Sequence, residues 1–447
     1  MKRLKNKYFS ILIKMSFPIL MNYLVMTLFE VLDKAIVGNY SIDDFAAVGI
    51  GATVIYGITG CLGAISRAYN IIAAQYLGKD DNKNFMNAFT TVMGISLIAG
   101  AIIILLSLLG GSFLFSVIFG LEGRILRICL EYFYISSITV VMNMLIFNFS
   151  VYFRNLKNTK ISFYSTIIST SINIVFDYLF VFGKFGFPEL GAKGAAIGSG
   201  LGLLAGLIIY VFKFYRTKEI KIRGALSKRI TLKIIKLYIP LLGQDFIEGT
   251  LFTLILTGIV SRIGIYEIAT YNLAESIGSI MILPVYAFST SAITLSIQKS
   301  FSSKKENPNS IMNAGIILSC LIVLSLGIFT SIFSNGVFGL ITNDEILILR
   351  VNKIFIFVIV VQVLNIFNQI YKSYLQGINS ERFVLLFTVG ISITSILWIT
   401  ILSINWGLAG VYIGLAINNL ILSIVYYLRI RNIRLNDVAK LSNSCLN

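Results

Sequence analysis

The chain has 447 residues, of which 57% are hydrophobic and only 13% are charged, and its mean hydropathy is +0.86. A soluble protein carries about 25% charged residues, so this composition excludes an ordinary soluble domain. The formal net charge is +17, but the basic residues gather in loops and at both ends, and no basic water-exposed face is evident. This distribution argues against nucleic acid as a partner. The absence of histidine argues against most enzyme chemistry.

Apolar runs of roughly 20 residues recur along the whole chain, and each is long enough to cross a bilayer. We therefore predict an all-α integral membrane protein with twelve transmembrane helices. The predicted spans are 10–38, 46–76, 86–110, 127–153, 160–183, 192–214, 232–261, 268–298, 310–335, 349–375, 382–403 and 407–430.

The basic residues alternate between the two ends of these predicted helices. They concentrate at the N-terminus, at 154–160, at 213–236, at 299–305 and at 429–434, which all fall on one side of a twelve-helix count. The loops on the other side are short or nearly free of Lys and Arg. The positive-inside rule therefore predicts a multi-pass protein of the cell membrane with both termini in the cytoplasm.

The sequence repeats itself at a separation of about 222 residues. The pair Phe17 and Pro18 matches Ile239 and Pro240, and Gln75 matches Gln298 at nearly the same offset. An even number of helices in each half makes this a parallel repeat, an arrangement that transporters use for alternating access. We predict two pseudo-symmetric six-helix bundles, with an N-terminal lobe at 1–215, a cytoplasmic linker at 216–231 and a C-terminal lobe at 232–447.

Several ionisable residues of the first half lie inside apolar runs. A charge there costs about 2.5–3.5 kcal/mol on insertion scales, so it normally faces a partner or a water-filled path. Glu30 and Lys34 are four residues apart and can neutralise each other, which leaves Asp33 unpaired. Asn173 and Asp177 are also four apart and share one helix face. Together these groups form a candidate site for a small cation or a proton.

A purely structural interpretation of these acids stays open at this stage. Asp33 and Asp177 could cap helix ends, or they could pair with Lys34 and Arg67.

The second half carries a different set of polar residues. Glu248 lies well inside the seventh predicted helix and is a second candidate contact for a cation or a cationic substrate. Its alternative is an ion pair with Lys372 on the tenth predicted helix. Glu275 and Asn365 lie on the eighth and tenth predicted helices and are further candidates for this second site.

The sixth predicted helix carries glycine at a strict spacing of four residues: Gly194, Gly198, Gly202 and Gly206. A stripe of small residues lets a neighbouring helix approach closely, so we predict that this face packs against another helix.

Several stretches of the chain resemble the multidrug and toxic compound extrusion (MATE) transporters. One is the sequence LDKAIVG at 32–38, followed by AAVG at 46–49, and another is AQYLG at 74–78. The strongest match runs from NIVFDY at 173–178 to GAKGAAI at 191–197. The resemblance covers nearly the whole chain.

The resemblance implies a secondary active efflux transporter that exchanges cytoplasmic organic compounds, often cations, for inward sodium ions or protons. It implies no enzymatic activity and no cofactor beyond the coupling ion. By resemblance, Asp33, Asn173, Asp177 and Ser199 form the cation site of the N-terminal lobe. Glu248 resembles the C-terminal acid of one branch of the family. Asn365 departs from that branch, which has aspartate there.

Two other classes of protein stay open. A flippase for a lipid-linked oligosaccharide or a related amphipathic precursor would use a more cationic cavity, which Arg67 and Lys372 fit but the acids oppose. A membrane subunit without transport activity would use its charges only for pairing. For the transporter we expect small amphipathic or cationic substrates, a lipid bilayer around the protein and a monomer.

Overall fold

A computed structural model describes residues 2–216, 224–302, 309–341 and 344–444, apart from a few side chains inside helices. All regular structure in these residues is helical. The N-terminal helices are α1 (Lys2–Gly38), α2 (Ile42–Gly78), α3 (Asn82–Phe113), α4 (Gly123–Asn155), α5 (Lys160–Phe182) and α6 (Ala192–Arg216). The others are α7 (Lys228–Asp245), α8 (Phe252–Ile263), α9 (Ile265–Ser300), α10 (Asn309–Ile332), α11 (Ser334–Gly339), α12 (Glu345–Gly377) and α13 (Glu381–Ser444).

Ten of the described helices are long and apolar enough to cross a membrane. Three predicted helices of the second half have a form that the sequence did not predict. The predicted helix at 232–261 is divided into α7 and α8 by a π-helical segment, Phe246–Leu251. The predicted helices at 382–403 and 407–430 form one element, α13, which is interrupted at Gly407 (φ 56°, ψ −138°).

The chain separates into two compact units, which we call the N-terminal unit (Phe17–Tyr238) and the C-terminal unit (Met1–Ser16 with Ile239–Asn447). In the N-terminal unit α5 packs along α6, and α2 and α3 pack on α4. In the C-terminal unit α12 packs on α9 and α13, and α10 packs on α9. The start of α1 belongs to the C-terminal unit because Leu12 and Met15 are buried against Ala292 and Leu295 of α9. Residues 217–223 of the predicted linker lie outside the described residues.

The loop before α6 fixes the start of that helix in the N-terminal unit. The Asp44 carboxylate accepts a hydrogen bond from the Ala192 amide at 2.8 Å, which satisfies a free N–H at the helix start. The Tyr40 hydroxyl donates to Glu189 at 3.0 Å. Desolvation and this neighbouring carboxylate raise the pKa of Tyr40. The end of α1 and the start of α2 are thereby tied to the loop between α5 and α6.

The glycine stripe of α6 packs on α5, which confirms the predicted close helix contact. A β-carbon at Gly194 would lie 2.7 Å from the carbonyl carbon of Phe180, and one at Gly202 would lie 2.5 Å from the Ser169 carbonyl oxygen. These distances are shorter than carbon–carbon or carbon–oxygen contacts allow, so only glycine permits this separation of the two helices. The backbones of α5 and α6 are therefore in direct contact along most of their length.

The backbone at Gly407 provides a test of the break in α13. Its φ and ψ values lie in a region that is open essentially to glycine alone, so Gly407→Ala should reduce stability by about 1–3 kcal/mol. Gly390→Ala, on the same element, is the control because nothing lies within 4 Å of its added β-carbon. Thermal unfolding of the two purified variants in detergent measures their loss of stability. An equal effect of the two substitutions would contradict the assigned break.

Candidate ion-binding site

The polar cluster of the N-terminal unit is built on α5. Asn173 and Asp177 lie one helical turn apart, and the Asn173 amide nitrogen donates to Asp177 Oδ2 at 2.7 Å. The same amide nitrogen lies 3.2 Å from the Ser199 hydroxyl oxygen on α6. The structure therefore brings together three of the four residues predicted for the cation site, and the glycine stripe supplies the short distance between their helices.

Asp177 is fully buried at the centre of this cluster. Its Oδ1 atom contacts the position that a β-carbon would take at Gly198, and its backbone nitrogen lies 2.8 Å from that position. The Asp33 side chain, on α1, lies within hydrogen-bonding reach of Asp177. Asp33 is thus the fourth predicted residue to join the cluster.

The two aspartates present oxygen atoms that no donor among the described residues satisfies. The Oδ1 atoms of Asp33 and Asp177 are both buried and accept no hydrogen bond from the described residues. Two adjacent carboxylates in a low-dielectric environment cannot both keep an uncompensated negative charge. Either a shared proton or a bound cation must compensate it. Carboxylate, amide and hydroxyl oxygens are suitable hard ligands for such a cation.

The geometry differs from that of a helix cap. Asp33 and Asp177 lie in the last two turns of α1 and α5, where the backbone offers carbonyl oxygens and an acid is electrostatically unfavourable. Arg67, a predicted alternative partner, has an exposed side chain. The side chains of Glu30 and Lys34, predicted to neutralise each other, lie outside the described part of the structure.

Glu248 of the C-terminal unit forms an ion pair. Both of its carboxylate oxygens lie 3.0 Å from the Lys372 ammonium nitrogen. Its Oε2 atom also accepts a hydrogen bond from the Gln244 amide at 3.1 Å. The ion-pair alternative that the sequence left open for Glu248 is therefore the observed arrangement.

The other two candidates of the second half are Glu275 and Asn365. The Glu275 carboxylate accepts a hydrogen bond from the Tyr412 hydroxyl at 3.3 Å. Asn365 is half-buried on α12. Among the described hydrogen bonds, none joins Glu275 or Asn365 to Glu248.

The internal repeat places apolar residues where the acid pair would recur. The positions 222 residues after Asp33 and Asp177 are Ile255 and Ile399. Ile399 packs against Gly414, so this crossing repeats the contact of Asp177 with Gly198 but without a charge. Ile255 lines a groove of about 720 Å³ in the C-terminal unit, between α8 and α13. The acid pair thus belongs to the first half of the repeat only.

Gln244 is the residue of these clusters to which sequence analysis assigned no role. It lies four residues before Glu248, as Asn173 lies four residues before Asp177. In both halves an amide therefore precedes an acid by one helical turn and donates to it. That shared spacing was a usable signal in the sequence.

Comparisons with known proteins agree with this architecture. The MatE family model matches residues 18–179 and again residues 240–401, so the two matches repeat at the separation seen in the sequence. A probable multidrug resistance protein NorM of Thermotoga maritima is 25% identical over 336 residues, covering 74% of this chain and 72% of that protein. A protein of the same description from Bacillus thuringiensis subsp. konkukian is 25% identical over 433 residues, covering 92% of each.

Solved structures share the fold. A MATE family transporter of the MOP superfamily, in an outward-facing conformation, superposes with a TM-score of 0.85 at 20% identity, covering 97% of both chains. A MOP superfamily transporter from Pyrococcus furiosus, described as having a binding pocket of reverse polarity, gives a TM-score of 0.82 at 20% identity, covering 95% of this chain and 96% of that one.

The fold and the buried polar clusters define a polytopic helical membrane transporter, not an enzyme. The family matches extend over both halves, and the chain belongs to the MatE family of multidrug and toxic compound extrusion transporters.

The contact between α5 and α6 at Asp177 yields a sharp test. An alanine at Gly198 would displace the Asp177 carboxylate, so Gly198→Ala should cost about 1–3 kcal/mol of stability and reduce ion-driven transport. Gly200→Ala is the matched control on the same helix, because its β-carbon would meet only a Thr139 methyl group at 4.0 Å. Thermal unfolding measures the stability of the two variants, and ion-driven export from proteoliposomes measures their transport. Equal behaviour of the two variants would contradict the proposed role of this contact.

Proposed function

We propose that this protein is a secondary active efflux transporter that exchanges cytoplasmic organic compounds, often cationic, for inward sodium ions or protons. The observation that carries the proposal is the facing pair of Asp33 and Asp177, each with a buried oxygen that no described donor satisfies. Two ionised carboxylates in such a site are unfavourable unless a positive charge compensates them. The names of the related NorM proteins support a role in multidrug resistance.

The coupling ion is a substrate of this transporter, and four residues would bind it. Asp33 and Asp177 would supply the charge, and Ser199 a hydroxyl oxygen. Asn173 holds Asp177 Oδ2 by its amide, which keeps that carboxylate oriented toward the cluster. A sodium ion or a proton shifts the conformational equilibrium only by its differential affinity for the two states. The acid pair provides such a difference if its two carboxylates are close together in one state and separated in the other.

We extend the proposal to topology. The chain would span the bilayer twelve times, with α13 crossing twice on either side of Gly407 and with α7 and α8 together forming one span. Each half would supply six spans, with lobes at 1–215 and 232–447 and a linker at 216–231. Both termini would lie in the cytoplasm of the cell, and the protein would act as a monomer. The distribution of Lys and Arg supports this orientation.

The C-terminal unit would contact the substrate. Glu275 and Asn365 are proposed polar contacts for a substrate or a second cation, and Glu248 is a third when it is released from Lys372. The groove lined by Ile255 and Ile259 has the size of a pocket for a drug-sized molecule and suits the apolar part of an amphipathic compound. The competing flippase hypothesis is weakened because Lys372 is neutralised by Glu248 and offers no free charge to an anionic headgroup.

Neutralising the acid pair tests the proposal. Asp33→Asn and Asp177→Asn should each lower ion-driven export of an organic cation by at least about tenfold, because a charged hydrogen-bonding partner in a buried site is worth on the order of 1.5–3 kcal/mol. The measurement is ethidium export from proteoliposomes under an imposed sodium or pH gradient, each applied separately.

Asp80→Asn is the matched control, since Asp80 is exposed in a turn and its positive φ of 57° is also tolerated by asparagine. Unchanged export by the Asp33 and Asp177 variants would refute the site. Movement of a lipid-linked sugar precursor without any export of organic cations by the wild type would favour the flippase.

A further inference from the structure

The ion pair of the C-terminal unit lies in an unusual stretch of backbone. Glu248 occupies the π-helical segment Phe246–Leu251, which joins α7 to α8. Single π-helical turns inside longer helices occur frequently at functional sites because they redirect a side chain. Here the segment directs Glu248 to α12, where it meets Lys372.

The pair is enclosed and well bonded. The Lys372 side chain is only 10% exposed, whereas that of Glu248 is 25% exposed, so the carboxylate is the more accessible partner. The ammonium nitrogen is equidistant from both carboxylate oxygens at 3.0 Å. Gln244 donates to Glu248 and its own amide oxygen accepts from Gln376 at 2.6 Å. Glu248 is thus held in a network that spans α7, the π-helical segment and α12.

Glu248, like the acid pair of the N-terminal unit, is a carboxylate largely removed from water. A carboxylate removed from water needs a compensating cation, and losing that cation leaves a buried, unpaired charge. In the N-terminal unit no described cationic side chain contacts Asp177. In the C-terminal unit the cation is part of the chain. A tethered group has a high effective concentration at its site and competes strongly with any soluble ion.

We infer that Glu248 and Gln244 form a site for a monovalent cation whose resident occupant is the Lys372 ammonium group. Lys372 thereby determines cation specificity at this carboxylate: while the pair is closed, it keeps sodium ions and organic ammonium ions from Glu248 and leaves ion coupling to the N-terminal unit. This inference deepens the proposed function, on which its statement about coupling rests.

Removing the tethered ammonium should create a site for soluble cations. The experiment uses the full-length Lys372→Ala variant, purified in detergent and melted in N-methylglucamine, sodium or ethylammonium chloride at equal ionic strength. Saturating sodium or ethylammonium should raise its melting temperature by about 5 °C, as expected for a ligand at a hundredfold excess over its dissociation constant. Lys372→Arg, which keeps the charge, should show no such rise.

Two controls separate this effect from a general response to salt. The double variant Glu248→Gln with Lys372→Ala lacks both charges and should not respond to cations. Arg350→Ala breaks a different ion pair of this unit, that of Arg350 with Glu267, and should also show no added response. The side chains of Arg350 and Glu267 are 41% and 29% exposed. Lys372→Met, with a longer side chain, is a second variant in case the alanine leaves too large a gap. If the double variant folds and neither Lys372→Ala nor Lys372→Met gains stability from these cations, the inference is wrong.

The same measurements in an Asp177→Asn background keep the two proposals distinct. Any cation response of the wild type that is lost in this background belongs to the N-terminal site. A cation response that appears only when Lys372 is replaced, in either background, belongs to Glu248. A wild-type response that survives Asp177→Asn contradicts the proposed N-terminal site, whereas absence of the gained response overturns the assignment of Lys372.

Discussion

The approach of two carboxyl groups inside an apolar helical protein is the constraint on which this structure depends. Asp177 is fully buried, Asp33 lies beside it, and neither Oδ1 atom receives a hydrogen bond from a described donor. Elementary electrostatics forbids this arrangement unless a positive charge is supplied. A protein that must obtain this charge from solution has a conformational equilibrium that depends on the ion, which is the requirement for coupling transport to an ion gradient.

The packing of α5 on α6 creates the constraint. Glycines every four residues allow the two backbones to touch, and Asp177 lies directly against one of them, Gly198. Side-chain freedom at this contact is small, so the carboxylate cannot turn away to find water. Asn173 adds a hydrogen bond that fixes Oδ2, while Oδ1 lies against Gly198. The close helix packing therefore also positions the carboxylate that we propose for ion binding.

The two halves of the repeat use the same scaffold for different electrostatics. At the repeat positions of the acid pair the second half has Ile255 and Ile399. Its partly buried acid Glu248 is instead neutralised by Lys372. The described residues thus pair Glu248 with a cation of the chain and give the acid pair none. Duplication alone would produce matching sites, and this difference is the basis of our proposals that ion binding belongs to the N-terminal unit and that Lys372 keeps cations from Glu248.

The sequence by itself determined the membrane class, most of the helices and the identity of the acidic cluster. Hydrophobic runs, intramembrane charges and the separation of 222 residues are properties of the chain, and Asn173 and Asp177 share a face by helical spacing alone.

Only the tertiary structure decided which long-range partners meet. It brought Asp33 to Asp177, paired Glu248 with Lys372 across 124 residues and gave Glu275 a different partner, Tyr412. The π-helical segment at Phe246–Leu251 was equally inaccessible to sequence reasoning, because an apolar pattern does not specify a change of helical pitch. Such contacts depend on how helices cross, and helical periodicity determines only which face a residue occupies.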